Sequence, residues 1–332
     1  MVAVVKRILL TTMATLLMLA GAMAAGLFFG SAGSGWDTIA ETMRGFRDPD
    51  TLYYQIIWQL RFPRVLMAAM VGATLSLGGL VFQALLRNPL AEPYILGISG
   101  GAAIGAIIGI LLSLSHFPGV SFLAFSGGIA TLVLVLVIAS GPTLLKKETL
   151  LLSGVMVNAF CSAVIMFLIS LTHDARVHNI LFWLMGDLSA GGIGEALLLA
   201  VMVIPCFIVI FWLSNAMNLL MMGKETAYSM GVNVKVVTVA LLMITSFMVS
   251  ATVSHCGLVA FVGLVIPHLF RLLLGADHRV LAPACIFGGG AYLVLCDLLA
   301  RTLPRSGEMP VGVITAMIGA PVFIFLLKRS SR

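Results

Sequence analysis

The sequence predicts an all-α polytopic membrane protein of about ten transmembrane helices, and three observations carry that prediction. The chain is 61% apolar and only 10% charged, whereas a soluble domain carries roughly 25% charged residues on its surface. Its apolar residues gather into ten runs of near-membrane length. Its basic residues concentrate in alternate connections between those runs.

A helix needs about 20 apolar residues to cross a hydrocarbon core of ~30 Å. The runs are 8–30, 63–84, 95–114, 119–145, 150–171, 195–217, 235–255, 257–274, 280–300 and 310–327. In lipid the backbone must satisfy its own polar groups, so each run is expected to be helical. The first follows Lys6-Arg7 and ends in Ala22-Met23-Ala24-Ala25-Gly26, as a secretory signal would. It is longer than the roughly 7–15 residues of a signal core, which favours a retained helix over a cleaved one. Pro63 opens the second run, and Arg87-Asn88-Pro89 separates it from the third. Lys146-Lys147-Glu148 precedes the fifth, and the polar loop Thr172–His178 follows it. That loop reads either as a solvated connection or as an attractor for an anionic chelate. Only Gly257 parts the seventh and eighth runs, which makes this the weakest boundary. Asp277-His278-Arg279 opens the ninth run and Pro310 the tenth.

Ten crossings put both termini on one side. With that side inside, twelve of the nineteen basic residues and only four of the thirteen acidic ones lie there. The positive-inside rule therefore places both termini in the cytoplasm. The formal charge of +6 thus speaks of lipid and topology, with no nucleic-acid partner implied. The five cysteines all fall within or at the ends of apolar runs, without a CxxC pair. They read as packing residues, neither disulfides nor a metal site. Gly101, Gly105 and Gly109 share one helical face, as do Gly26 and Gly30. Such spacing lets helix backbones approach closely in lipid.

Enzymatic motifs are weak. Gly97-Ile98-Ser99-Gly100-Gly101 fits G-x-S-x-G, but a nucleophile elbow needs a strand before its turn. An intramembrane serine protease would need His255 or His268 beside Ser99, and a small-residue helix start is the favoured reading. Gly223-Lys224-Glu225-Thr226 is not a phosphate loop, because Asn218 stands where its first glycine belongs. No acidic residue is expected at mid-membrane, which argues against an ion-coupled carrier. No cofactor is implied.

Three segments are more specific. The first runs from Arg61-Phe62-Pro63-Arg64 through Gly72-Ala73-Thr74-Leu75-Ser76-Leu77-Gly78-Gly79 to Arg87-Asn88-Pro89-Leu90-Ala91-Glu92-Pro93. The second is Gly263-Leu264-Val265-Ile266-Pro267-His268-Leu269-Phe270-Arg271, and the third begins Glu308-Met309-Pro310-Val311-Gly312. In order and spacing they resemble the FecCD-like permeases of ABC importers, over nearly the whole chain. The resemblance implies a single permease domain over 1–332, built as a type II ABC importer bundle with no catalytic site. It implies a homodimer with one path at its axis, two cytoplasmic ATPase subunits and an extracytoplasmic substrate-binding protein. Its substrates would be iron chelates such as siderophores, haem or vitamin B12. A permease for another substrate remains the alternative, with a secondary carrier or protease behind it.

The resemblance also assigns residues. Asn88 and Leu90 would belong to a cytoplasmic gate. The family's second gate lies before the fifth helix, where Lys146-Lys147-Glu148-Thr149 departs from its usual small hydroxyl residues, so it stays unassigned. Arg61, Arg64 and Arg301 would ring the outer mouth and receive carboxylates of the binding protein, or else anchor lipid phosphates. Residues 218–234 are too polar to span lipid. Gly223 and Gly231 bracket about two helical turns there, and the resemblance makes this the ATPase-coupling element. Gly223, Ala227 and Gly231 would let it seat in a cleft of the ATPase, with Lys224 and Glu225 fixing its register.

Overall fold

The computed structural model describes residues 2–30, 52–139, 147–172, 174–189, 191–304 and 307–330. Most of the expected outer segment 31–60, and Lys146 of the unassigned gate, lie outside the described residues. Among the described residues, seven helices are long and apolar enough to cross a membrane, and three shorter apolar helices complete ten. In chain order they are α1 Val2–Phe28, α2 Phe62–Leu86, α3 Ile98–Leu111, α4 Ser121–Ala139 and α5 Lys147–Ser170. Then follow α6 Asp174–Leu184, α7 Ile193–Trp212, α8 Ser214–Met222 and α9 Lys224–Ser229. The last are α10 Val234–Cys256, α11 Val262–Leu274, α12 His278–Thr302 and α13 Val311–Ser330. The short α6, α8 and α9 are additional to the ten. The expected loop at Thr172–His178 is therefore mostly helix, because an apolar stretch through Trp183 continues it.

Helix α2 is the axis of the bundle. It packs against α12, α11, α10 and α7, and 89% of its most apolar window is buried, against 11% for α1. Close approach depends on glycine. A methyl on Gly79 would collide with the Gly263 carbonyl, and one on Gly72 with the Gly289 carbonyl. The predicted glycine stripe on α3 meets α4: Gly101 lies on Gly127 and Thr131, and Gly105 on the Leu123 carbonyl. Without a hydrophobic drive between helices in lipid, this contact area is what holds the pairs.

Two of the ten helices are short because irregular backbone precedes them. Before α3, a 3-10 turn at Pro93–Leu96 leads into Gly97 at φ +74°. Before α11, Gly257 ends α10 at φ +69°, and Phe261 at φ +68° starts the next helix. The two segments meet. The Tyr94 hydroxyl donates to the Val259 carbonyl at 3.0 Å and accepts from its N–H at 3.2 Å. Pro93 also packs against Gly78 and Gly263. The weak boundary at Gly257 is thus a real interruption, with its loose backbone groups satisfied by Tyr94.

The connections define two ends of the bundle. At one end, α6 and the turn after it touch the α10–α11 link: Asp187 N–H donates to Cys256 O at 2.9 Å. At the other, α8 and α9 lie beside the starts of α10 and α12. Arg7 donates to the Leu274 carbonyl there, so the start of α1 is at the α9 end.

Candidate functional site

Three places on this bundle gather the residues of interest. The first is a groove of about 500 Å³ beside the paired interruptions, where Tyr94, Ser99, Met185, Leu258, Gly312 and Met317 face it. Its wall is built by backbone contact. Gly312 lies under the Met185 carbonyl, and Gly257 lies under that of Trp183. Interrupted helices meeting inside a bundle mark substrate paths in transporters, because irregular backbone survives only where protein or a wet cavity satisfies it. Ser99 lies on this groove, but the two candidate histidines are engaged elsewhere. His255 Nδ1 is 2.8 Å from Ala251 O and 3.2 Å from Ser254 Oγ. His268 packs edge-on against Phe323 with ring centroids 6.0 Å apart.

The second place is a charged cluster at the α6 end. Arg61, Arg64 and Arg301 come together as the sequence suggests, lining one cavity with Glu308. They are not presented at the surface, however: only 6%, 8% and 4% of each is exposed. Arg64 Nε donates to Asp297 Oδ1 at 2.8 Å, and another of its nitrogens pairs with Glu308. Arg301 Nε lies 3.0 Å from Asp297 Oδ2, one helical turn away along α12. Arg61 donates to the carbonyls of Leu27 and Phe28 at 2.9 and 3.2 Å. All three guanidiniums are engaged within the chain. A buried guanidinium needs a counter-charge and acceptors, and Asp297, itself fully buried, supplies them. Nothing in the apolar run 280–300 marks Asp297 as a partner of two arginines. Its spacing of four from Arg301 was the available signal.

The third place is the α9 end. Arg87 caps α2 in a left-handed conformation at φ 49° and donates to the Leu220 carbonyl on α8. Asn88 forms a tight turn, its side chain accepting from Leu90 N–H at 2.9 Å, and the Leu90 side chain is exposed. The gate residues proposed from the sequence are therefore tied to the coupling segment through Arg87. In that segment Gly223, at φ +131°, separates α8 from α9, and Gly231, at φ +82°, follows α9. Lys224 and Glu225 are exposed. Ala227 is not: it is fully buried in its own chain, and its carbonyl accepts from Val232 N–H at 3.0 Å. Its smallness serves packing within the chain. The projecting groups are Met222, Tyr228 and Met230, 72%, 77% and 65% exposed.

A latch missed from sequence joins this segment to α12. Asn218 on α8 donates to Asp277 Oδ1 at 2.8 Å and accepts from His278 N–H at 2.9 Å. Asp277 also takes the Arg279 guanidinium at 2.7 Å, which holds its carboxyl at about 2, below the ordinary 3.8. A depressed carboxylate stabilises the fold above its ordinary titration range and loses that effect as pH falls toward about 2. The latch is thus intact at neutral pH. Helix α12 then runs the length of the bundle, from Asp277 to Asp297 and Arg301.

Comparisons with known proteins agree with this architecture. Residues 16–329 match the FecCD transport family. The chain is 38% identical over 289 residues to the uncharacterized ABC transporter permease protein YvrB of Bacillus subtilis, covering 85% of this chain and 81% of that one. It is 40% identical over 277 residues to the vitamin B12 import system permease protein BtuC of Salmonella arizonae, covering 83% and 84%. Among solved structures, an inward-facing ABC transporter described as of metal-chelate type superposes with a TM-score of 0.86 at 31% identity, over 96% and 98% of the two chains. PsaBC from Streptococcus pneumoniae, at a TM-score of 0.57 and 18% identity over 87% of this chain and 95% of that one, shares the fold. Such relatives are transport components and not enzymes. The chain belongs to the FecCD transport family, as the permease subunit of an ABC importer.

Proposed function

We propose that this permease forms the homodimeric core of an importer in a bacterial inner membrane, with both termini and residues 218–234 cytoplasmic. A binding protein outside delivers an iron chelate such as a siderophore, haem or vitamin B12, and two ATPase subunits drive its passage. The observation that carries this reading is the groove at Tyr94, where two interrupted helices meet and the backbone leaves room for a solute. The relatives named for vitamin B12 import and metal-chelate transport support the substrate range.

Residue roles follow the same reading. Asn88 and Leu90 close the path at the cytoplasmic end, beside the α8–α9 segment. Gly223 and Gly231 set the bends that present α9 to the ATPase, and Ala227 holds α9 to its own chain. Lys224 and Glu225 set register at the partner surface. Arg61, Arg64 and Arg301 guide docking through the cavity they line, and partner carboxylates compete there with Asp297 and Glu308. Of the two carboxylates in the cluster, Glu308 is the half-exposed one, with 41% of its side chain open.

Topology tests the orientation directly. In a variant lacking the native cysteines, a cysteine at position 178 will react with an impermeant thiol reagent in intact cells, and one at position 224 will not. Both positions are exposed in the folded chain. The reverse pattern would turn the permease over and remove the proposed placement of its partners.

A further inference from the structure

A narrow crevice opens at the α9 end of the bundle, between the end of α2, the start of α5, α8 and the start of α10. Three cations from three elements stand on it: Arg87 at the end of α2, Lys224 opening α9 and Lys235 in the first turn of α10. Each is exposed, and none has an ion-pair partner among the described residues. Arg87 donates to the Leu220 carbonyl, and a guanidinium has five N–H donors, so most of its capacity is open. Among the described residues, Thr238 is the one other polar side chain on the wall, and no carboxylate lines it. Glu148 and Glu225 are near in sequence but do not line the crevice.

Below that rim the wall is hydrocarbon. Phe82 and Leu86 furnish it from α2, Leu150 from α5, and Val239 and Leu242 from α10. Leu242 lies eight residues along α10 from Val234, about 12 Å at a rise of ~1.5 Å per residue. The crevice thus reaches well into one leaflet of a ~30 Å hydrocarbon core. It contains about 60 Å³ of free space, far less than the roughly 300 Å³ or more of a small-molecule pocket. That excludes a compact solute such as a chelate and suits a single methylene chain. The outer side of α10 continues the apolar surface, with Val236, Val239 and Met243 60%, 41% and 43% exposed at helical spacing. Helix α10 packs against α4 and α7, whose spans are only 33% and 28% buried, so this side of the bundle faces lipid.

We infer that the crevice holds an anionic phospholipid, with its phosphate at Arg87, Lys224 and Lys235 and one acyl chain along α10. Basic pockets between membrane helices recognise lipid headgroups by this pairing of cations with an apolar cleft. The inference goes beyond the importer reading, which supplies only the leaflet, the cytoplasmic one. The apolar depth favours lipid over the ATPase as occupant. A soluble subunit offers carboxylates at the rim, but its polar surface cannot follow the wall into hydrocarbon without a large desolvation cost. A phosphate at the rim bridges the end of α2, the start of α9 and the start of α10, adding to the bond from Arg87 to Leu220.

Native mass spectrometry of the permease assembled with its ATPase tests this, with phosphatidylglycerol and phosphatidylcholine of identical acyl chains as competing probes. One phosphatidylglycerol per permease chain should be retained, in preference to phosphatidylcholine by at least about tenfold, the combined effect expected of several cations. One basic residue beside an anionic headgroup is worth about fivefold in affinity, so Lys235→Gln should cut the preference by that factor. Lys6→Gln removes an exposed cation outside the crevice and should leave the preference unchanged. Val239→Phe, at a half-exposed position, should expel both lipids alike without lowering the thermal midpoint in detergent. Glycerol phosphate in large excess should displace neither lipid. Equal retention of the two lipids, a preference indifferent to Lys235→Gln, or displacement by glycerol phosphate overturns the lipid site. A preference seen in the permease alone but lost on assembly gives the cations to the ATPase interface and overturns it too. Failure of ATP-driven uptake with the preference intact would sink the importer reading and leave the lipid site standing.

Discussion

Replacing Asp297 with alanine is expected to destabilise the folded chain by about 3–5 kcal/mol, the usual result of leaving a buried charge without its partner. Two charges are stranded here, because Arg64 and Arg301 both pair with that carboxylate. Glu308 can compensate only Arg64, with which it pairs. The defect would appear as a large fall in thermal midpoint of the purified permease and in yield from the membrane. A triple change of Arg64, Asp297 and Arg301 to leucine should recover much of that loss, since apolar replacements of whole buried ion clusters are often neutral. It should not recover docking. If the single and triple variants are equally unstable, shape at this site matters and charge pairing does not. The same pairing makes reversal of Arg61 and Arg64 to glutamate a poor docking test, because Arg64→Glu would face Asp297 with a like charge.

The other large effect lies at the opposite end of the bundle. Tyr228→Asp is expected to leave the chain inserted and folded, since the ring projects from α9 with 77% of the residue exposed. It should nonetheless cut ATPase association and uptake by more than about tenfold, the scale of losing one aromatic anchor at an interface. Exposed tyrosine and methionine gathered on a polar segment mark a partner surface more sharply than the glycines do. Ala227→Trp would instead disrupt the fold, because Ala227 is fully buried. Coupled transport at the wild-type rate in the Tyr228 variant would remove α9 as the transmission element.

Much of the fold is legible in the sequence because lipid imposes a single rule, that each apolar run closes its own hydrogen bonds. That rule gives the ten crossings, and the Gly101–Gly105 stripe anticipates the α3–α4 contact. It is silent on where a run stops being helical. Run 257–274 is apolar from Gly257 through Pro267, yet its first five residues are irregular, because Tyr94, far away in sequence, satisfies Val259. The sites divide the same way. Resemblance brings Arg61, Arg64 and Arg301 to one place, but only packing reveals Asp297 between two of them. The Asn218–Asp277 latch lies across 59 residues, and no local pattern announces it.

Uptake into proteoliposomes holding this permease with its ATPase is the most direct measurement of the importer role. The binding protein is added outside, loaded in turn with a ferric siderophore, haem or cobalamin. Accumulation is expected with at least one of these ligands, only when ATP is enclosed and the binding protein is present, and unchanged by ionophores that collapse proton and sodium gradients. Accumulation driven by an ion gradient without ATP would contradict it.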